Sequence, residues 1–581
     1  HLGNFLGILP GEEGSQSERV LGLSCATLEQ KIPLAVFSAM VPTSGRIVLP
    51  LPEIVEDEDG VFSRHVISLN ETNTLEFFVY GAIYTGNDKI DDPTQAAEAM
   101  VYKAIDKSWE SILQRHKAQW DKIWQIGDVT IEGDEYAQRC LRYSLYHLWI
   151  IAPRHSVGQA LSIPARGLSG QTYKGAVFWD TEMFIAPYFL ATMPELTAQF
   201  VRYRIQTLPG AKRKAAEYGY RGAFFAWESQ ETGDDACSDF NVTDVFTGRP
   251  VRTYFRDKQI HISADIVYAI KKYIDYTGNF SILTEGAMEL ILEAARFFLS
   301  YLYYSPEHKR YEVLDVIGPD EYHERVNNNA FTNRMVFAVF EIARDYIEMF
   351  QKSDSQFIKG LIKQICFHDD LESMKTVMQQ FYLPQPDERG VIEQFDGYFR
   401  HEDCSLDAVR SRLKDSKEYW GGGNGVATPT QIIKQADVVT MLALFAKEYS
   451  AEVKKANLDY YEPRTEHGSS LSSCMYALLS CKTGSGDWAY PFFVKTAEID
   501  ITGKSKHFAG LIYIGGTHPA ANGGAWLTAI HGFCGFIVEN GEIKITPRLP
   551  SSWEKVKFSV TLRGIEYEVT VTKNDYTIRG K

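Results

Sequence analysis

"DPTQAAEAMVYKAIDKSWESILQRHKAQWDKIWQ", residues 92–125, is where the chain changes its period, and that change decides the fold. Ahead of it, apolar residues alternate in short runs, "GRIVLPLPEIVED" (45–57), "VFSRHVISL" (61–69) and "TLEFFVYGAIYTG" (74–86), bounded by Gly, Pro and Asn as strands are. From Asp92 the period is that of a helix, with Ala97, Met100, Ala104, Ile105 and Trp109 able to share one face. Between about 134 and 535 follow helix-length amphipathic stretches, among them "DEYAQRCLRYSLYHLWIIA" (134–152), "HISADIVYAIKKYIDYTG" (261–278), "GAMELILEAARFFLSYLYY" (286–304), "TNRMVFAVFEIARDYIEMF" (332–350), "TQIIKQADVVTMLALFA" (430–446) and "SLSSCMYALLSCKTG" (470–484), several ending in Gly. So many helices joined by polar loops predict an α/α barrel with its loops gathered over one end, where chemistry would sit. From about 540, "GEIKITPRLPSSWEKVKFSVTLRGIEYEVTVTKNDYTI" returns to alternation. The expected division is a β portion over 1–100, a helical linker over 101–133, the helical domain over 134–537 and a small C-terminal β domain over 538–581.

A chain of 581 residues, 45% hydrophobic, can bury a large core and exceeds what one core usually organises. Its net charge of -15, with no Lys/Arg stripe, argues against nucleic acid and anionic membrane as partners, since both are met by basic side chains. No run reaches the roughly 18–20 apolar residues of a membrane span. The eight Cys contain no CxxC pair, which reads as reduced cytoplasmic thiols rather than a disulfide framework. The first residue, His1, is not expected to be the native start.

Five loop-like stretches carry residue types that a core excludes: "KGAVFWDTEMF" (174–184), "DVIGPDEYHERVNNNAFTN" (315–333), "PTQIIKQADVV" (429–439), "YYEPRTEHGSSLS" (460–472) and "YIGGTHPAANGGAW" (513–526). Carboxylates, amides and aromatics without metal-ligand spacing suggest a sugar site and no metal, with hydroxyls held by Asp, Asn and Lys and ring faces stacked on Trp or Tyr. Each stretch alone has a plainer reading. Asp180 could cap a helix, Glu321 could be a solvated loop acid, Lys434 and Gln435 could be the polar face of a helix, and His467 and His518 could be satisfied structural histidines.

Taken together, "FWDTE" (178–182), "IGPDEYH" with "VNNNAFTN" (317–333), "QFDGYF" (394–399), "KQADVV" (434–439), "HGSSLS" (467–472) and "GGAW" (523–526) resemble glycoside hydrolase family 65, the inverting α-glucoside phosphorylases and hydrolases. The motifs occur in the family's order over nearly the whole chain. The resemblance implies a mainly α architecture: an N-terminal β-sandwich, here shorter than the family's, a helical linker, an (α/α)6 barrel and a C-terminal β domain. It implies Glu321 as general acid, Trp179, Asp180, Lys434 and Gln435 as donor-sugar residues, and His467, Ser469, Ser470 and His518 as a phosphate pocket. Inorganic phosphate would be co-substrate and nucleophile, with no other cofactor, and the product β-glucose 1-phosphate. A cytoplasmic homodimer acting on a small-molecule α-glucoside completes the expectation.

Glu466 departs from the phosphorylase pattern, because a carboxylate beside a phosphate dianion is unfavourable. An inverting hydrolase needs a base carboxylate opposite its acid, and Glu466 is the candidate; on the phosphorylase reading it would stand aside, paired with Arg464. A non-catalytic sugar-binding protein on the same scaffold would have lost the acid, whereas Glu321 stands in its full motif. Ala176 and "GGTHPAANGG" differ from the maltose enzymes and lean towards an α-1,2- or α-1,3-linked glucoside.

Overall fold

The computed structural model describes residues 6–8, 20–28, 30–43, 53–57, 60–67, 74–88, 90–156, 160–169, 173–484, 486–503, 508–509, 511–539 and 541–581. Residues 45–52 and 68–69, within the first two alternating runs, lie outside these. Contacts divide the chain into His1–Lys122 and Ile123–Lys581.

In the first unit, strands Leu6–Ile8, Leu21–Thr27, Pro33–Pro42 and Phe77–Thr85 form an antiparallel sheet in that order, and Glu53–Asp57 pairs with Gly60–Arg64 as a separate hairpin. One sheet face, carrying Ala35, Phe37, Ala39 and Ala82, packs on Ala97 and Val101 of helix Pro93–Ile105. That helix begins at Asp92, whose carboxylate accepts from the Thr94 and Gln95 amides at 2.9 and 3.2 Å. It is not one long linker: Asp106–Ser108 interrupts it, and a second helix runs Trp109–Gly127. Met100 and Trp109 accordingly lie on different helices, and both are exposed.

The second unit is helical. Six helices pack in a closed ring: Ala186–Thr192, His261–Thr277, Ala330–Ser353, Val438–Leu444, Ser473–Lys482 and Pro519–Leu527, the last returning to the first. Others, including Glu135–Ile151, Pro194–Glu217, Met288–Tyr301 and Gly486–Ala497, pack against this ring. The ring helices are nearly all-buried; in His261–Thr277, Ile262, Ile266, Val267, Ile270 and Ile274 are 2% exposed or less. Among the described residues no helix is long and apolar enough to cross a membrane, and all eight Cys are free thiols.

Two readings of local structure change. Residues 430–437 are not helical, and only Val438–Leu444 is. Their backbone is spent elsewhere: Ile433 N–H donates to the Arg464 carbonyl, and Ile433 and Lys434 carbonyls accept from Glu466 and Gly468 amides, at 2.9–3.0 Å. Val129–Glu132, in the expected linker, is a strand on the edge of the C-terminal sheet, antiparallel to Lys555–Leu562, which pairs in turn with Ile565–Thr572 and then Tyr576–Gly580.

A buried ion pair fixes the chain entering the first ring helix. Arg204, in helix Pro194–Glu217, holds Glu182 with two bonds of 2.7 and 2.9 Å and also donates to the Phe178 carbonyl at 3.3 Å. Both side chains are nearly sealed, at 1% and 6% exposure. Arg204→Met leaves a buried carboxylate unpaired and is expected to destabilise by about 3–5 kcal/mol. Thermal melting checks this, and Arg204→Met with Glu182→Leu should be less damaging than the single change.

Candidate active site

Asp320 organises the loop that carries Glu321. Its carboxylate accepts from the amides of Tyr322 (3.1 Å) and Lys434 (2.9 Å) and from the Gln394 side chain (3.0 Å), and binds His323 Nδ1 at 2.6 Å. His323 Nε2 reaches the Thr430 carbonyl at 2.8 Å, so loops 317–323 and 430–434 are joined at several points. Glu321, between Asp320 and Tyr322, is thereby aimed into a cavity of about 1260 Å³. Lys434 Nζ donates to Glu321 Oε2 at 2.5 Å. Burial works against the Lys434 ammonium, but the Glu321 carboxylate outweighs it and raises the Lys434 pKa.

The three asparagines are structural and do not line the cavity. Asn327 accepts from the Asp315 amide at 2.9 Å, and Asn328, in left-handed backbone at φ 52°, bonds the Val313 amide and Asp396. Asn329 caps helix Ala330–Ser353 through the Thr332 amide at 2.9 Å and donates to Asp437 at 3.0 Å. Gly318 has no room for a side chain here, since a β-carbon would lie 2.4 Å from Asn329 Nδ2 and 2.5 Å from Asp437 Oδ2. Burial, with the Asp320 charge added, pushes the Asp437 pKa up to about 8.

Trp179 and Asp180 line the cavity wall held by Arg204. Asp180 makes no side-chain cap at the helix start; burial pushes its pKa up to about 7 against the opposing charge of Arg166. The Trp179 ring stands edge-on to buried His261, centroids 4.9 Å apart, and His261 is oriented by Asp265 at 2.7 Å. Beside them, Lys214 holds Asp235 at 2.7 Å, and Asp235 accepts from the Trp227, Glu228 and Cys237 amides, presenting Trp227 and Glu228 to the same cavity.

On the other side lie His467, Gly468, Ser469 and Ser470. His467, at φ 54°, fixes its Nδ1 on Ser472 Oγ at 2.8 Å and has a buried Nε2 without a protein partner. Burial, then the Lys495 charge, drops its pKa to about 3, so the ring is neutral. Lys495 lines the cavity too, its own pKa lowered by burial and partly restored by the Glu466 charge. His518 precedes helix Pro519–Leu527 and is set by Asp500, which takes its Nδ1 at 2.6 Å and its amide at 3.0 Å. Burial raises the Asp500 pKa, but these bonds prevail and it ends low.

The cavity thus gathers Trp179, Asp180, Glu321, Lys434, Glu466, His467, Ser469, Ser470 and His518. Gln435 is not in the lining; its amide nitrogen donates to the Pro319 carbonyl behind the wall. Arg464 does not pair with Glu466 but with Asp403, at 2.7 Å. Glu466 accepts from the Tyr322 hydroxyl instead. Ala176 is fully buried and outside the lining. Sequence reasoning missed Arg166, Tyr173, Trp227, Glu228, Tyr419 and Lys495. The run "FFAWES" (224–229) is an acid among aromatics and could have been read; Lys495 is an ordinary helical lysine with no signal. Among the described residues no group of three or more His, Cys, Asp or Glu is placed to hold a metal ion.

Residues 142–527 match the glycosyl hydrolase family 65 central catalytic domain, and 537–581 the C-terminal domain of that family. The chain is 54% identical over 527 residues to nigerose phosphorylase of Lachnoclostridium phytofermentans, covering 90% of this chain and 70% of that protein. It is 40% identical over 531 residues to 1,2-alpha-glucosylglycerol phosphorylase of Bacillus selenitireducens (91% and 69%) and 36% over 535 to kojibiose phosphorylase of Halothermothrix orenii (90% and 67%). A solved structure from the human microbiome, 24% identical, shares the fold with a TM-score of 0.81 over 99% of this chain and 72% of that one.

Glu228 gives a test of the electrostatics. Its Oε2 is buried without a hydrogen-bond partner, 3.9 Å from the Lys174 ammonium, and burial raises its pKa to about 7 despite that cation. A folded pKa above the ordinary 4.5 means the native state holds the proton more tightly. Stability from this group is therefore full below about 4.5 and lost as pH rises to about 7. Melting curves of Glu228→Gln should lack a slope of on the order of 1 kcal/mol per pH unit across that window, relative to the parent.

Proposed function

The chain belongs to glycosyl hydrolase family 65, and from that membership with the cavity described above we propose that it is an inverting phosphorylase of an α-linked glucoside, giving β-glucose 1-phosphate and the free acceptor. The observation that carries this reading is the convergence, in one cavity, of Glu321 and Lys434 with the His467–Ser470 loop and His518. Glu321 protonates the glycosidic oxygen as the C1–O bond breaks. Phosphate attacks C1 from the opposite ring face, which inverts α to β. Trp179, Asp180 and Lys434 hold the glucosyl unit, and Gln435 supports their wall through Pro319. His467, Ser469, Ser470 and His518 bind the phosphate, with Lys495 supplying the positive charge that a neutral His467 does not.

The 54% identity to a nigerose phosphorylase favours an α-1,3-linked glucose disaccharide, with Trp227 and Glu228 on the acceptor side. The closed helical ring is read as the family's (α/α)6 barrel. A cytoplasmic homodimer belongs to the same proposal; free thiols at all eight Cys agree with a reducing compartment. Hydrolysis remains a second reading because Glu466 lines the cavity, but the relatives named above are phosphorylases.

Product analysis decides. With a panel of α-linked glucose disaccharides, β-glucose 1-phosphate is expected only with phosphate present, and two free monosaccharides regardless of phosphate would make the enzyme a hydrolase. Glu321→Gln should lower turnover by about 10²–10⁴-fold with the melting temperature retained. His518→Ala is expected to raise the KM for phosphate more than that for the disaccharide; an equal rise in both would place His518 outside the phosphate pocket.

A further inference from the structure

Glu466 is the cavity carboxylate that the sequence offers as a base for water, yet the fold engages it between the loop that carries Glu321 and its own. Its Oε2 accepts a hydrogen bond from the Tyr322 hydroxyl. The same oxygen fills the space beside Gly468, where a β-carbon would lie 2.3 Å from Oε2 and 3.0 Å from Cδ. Gly468 does not have positive φ, so what glycine provides there is room for that carboxylate.

Tyr322 cannot swing away. It is fully buried, its amide is tied to Asp320, and its ring lies between Trp420 (centroids 6.1 Å, planes 23° apart) and Tyr419 (5.9 Å, 72°). Those two belong to the 404–427 excursion, whose Val409, Ala427 and Leu413 form a small apolar cluster with Tyr322 and Ile432. Gly421 brings that excursion close: a β-carbon on it would lie 2.7 Å from the Tyr322 α-carbon. The Tyr419 hydroxyl completes the seat by donating to the Glu321 carbonyl at 2.9 Å.

We infer that Tyr322 is a positioning residue that sets the choice of nucleophile, by holding the Glu466 carboxylate away from the sugar so that water at C1 has no base. This rests on the phosphorylase reading. In phosphorolysis a phosphate oxygen bonds to C1, the C1–O bond breaks and the Glu321 proton goes to the leaving oxygen. In the reaction held back, the oxygen of water bonds to C1, its proton passes to Glu466, and the Glu321 proton again goes to the leaving oxygen, giving β-glucose and the acceptor. Phosphate needs no base, so it is spared the restraint that water meets. The arrangement also accounts for a glutamate beside the anion pocket: bonded to Tyr322 and near the Lys495 ammonium, its charge is partly compensated.

The test uses the full chain with an α-glucose disaccharide, scoring free glucose and β-glucose 1-phosphate with and without phosphate. Tyr322→Phe keeps the ring and removes the hydroxyl. It should raise phosphate-independent glucose release about tenfold or more and shift the glucose to glucose 1-phosphate ratio, which loss of packing alone would not move. Tyr322→Phe with Glu466→Gln should return hydrolysis to the parent level. Gly468→Ala, whose β-carbon displaces the carboxylate with Tyr322 intact, should raise hydrolysis independently and decides the matter if Tyr322→Phe does not fold. No gain in either variant, or a gain that persists with Glu466→Gln, overturns the inference. If the parent forms no glucose 1-phosphate from any disaccharide, it is the phosphorylase reading that has failed.

Discussion

The catalytic unit depends on one buried carboxylate. Asp320 has four donors around it, from Tyr322, His323, Gln394 and Lys434, and these come from three separate loops. A carboxylate taken out of water is costly unless its oxygens are satisfied, so the loops must close around it together or not at all. Both groups that face each other in the cavity, Glu321 and Lys434, are immediate chain neighbours of these bonds. The loop that carries Glu321 and the segment that carries Lys434 are therefore tied together by a satisfied anion, alongside the packing of Tyr322 on Ile432.

Around that point the ring supplies a common electrostatic floor. Polar residues stand at the start of each ring helix: Asp180 ahead of the turn into Ala186–Thr192, His261 opening its helix, Asn329 and Asp437 ahead of the next two, Ser472 ahead of Ser473–Lys482, and His518 ahead of Pro519–Leu527. Helix starts expose unpaired N–H groups and carry about half a positive charge, so anions gather there. In a chain of net charge -15, Lys434 and Lys495 nevertheless bring two ammonium groups into the cavity.

How much of this was legible in the sequence follows from where the interactions are local. The helical period, the Gly-ended helices and the polar loop motifs announce themselves within a few residues, and the motif-bearing loops meet in one cavity. Segment 430–437 misleads because its apolar spacing suits a helix while its N–H and C=O groups bond residues 464–468; tertiary pairing overrides propensity. Gln435 reads as a sugar-binding residue, whereas its amide nitrogen bonds the Pro319 carbonyl, a fact of distance rather than of pattern. Lys495 and Arg166 reach the cavity from unremarkable stretches for the same reason. The asparagine run reads as functional and is structural, each amide being used to fix backbone that no helix or strand satisfies.

The strand Val129–Glu132 has a consequence for the order of assembly. It lies just ahead of helix Glu135–Ile151, yet its ladder partner is Lys555–Leu562, near the far end of the chain. Helix Glu135–Ile151 likewise packs on Pro519–Leu527. A ribosome making this protein at about 5–20 residues per second would release the early helices well before their closing partners exist. In that interval Val129–Glu132 is an unpaired edge and the face of Glu135–Ile151 is bare, the kind of surface that chaperones bind. The ring closes late in synthesis, and truncations near the C-terminus would be felt at its beginning.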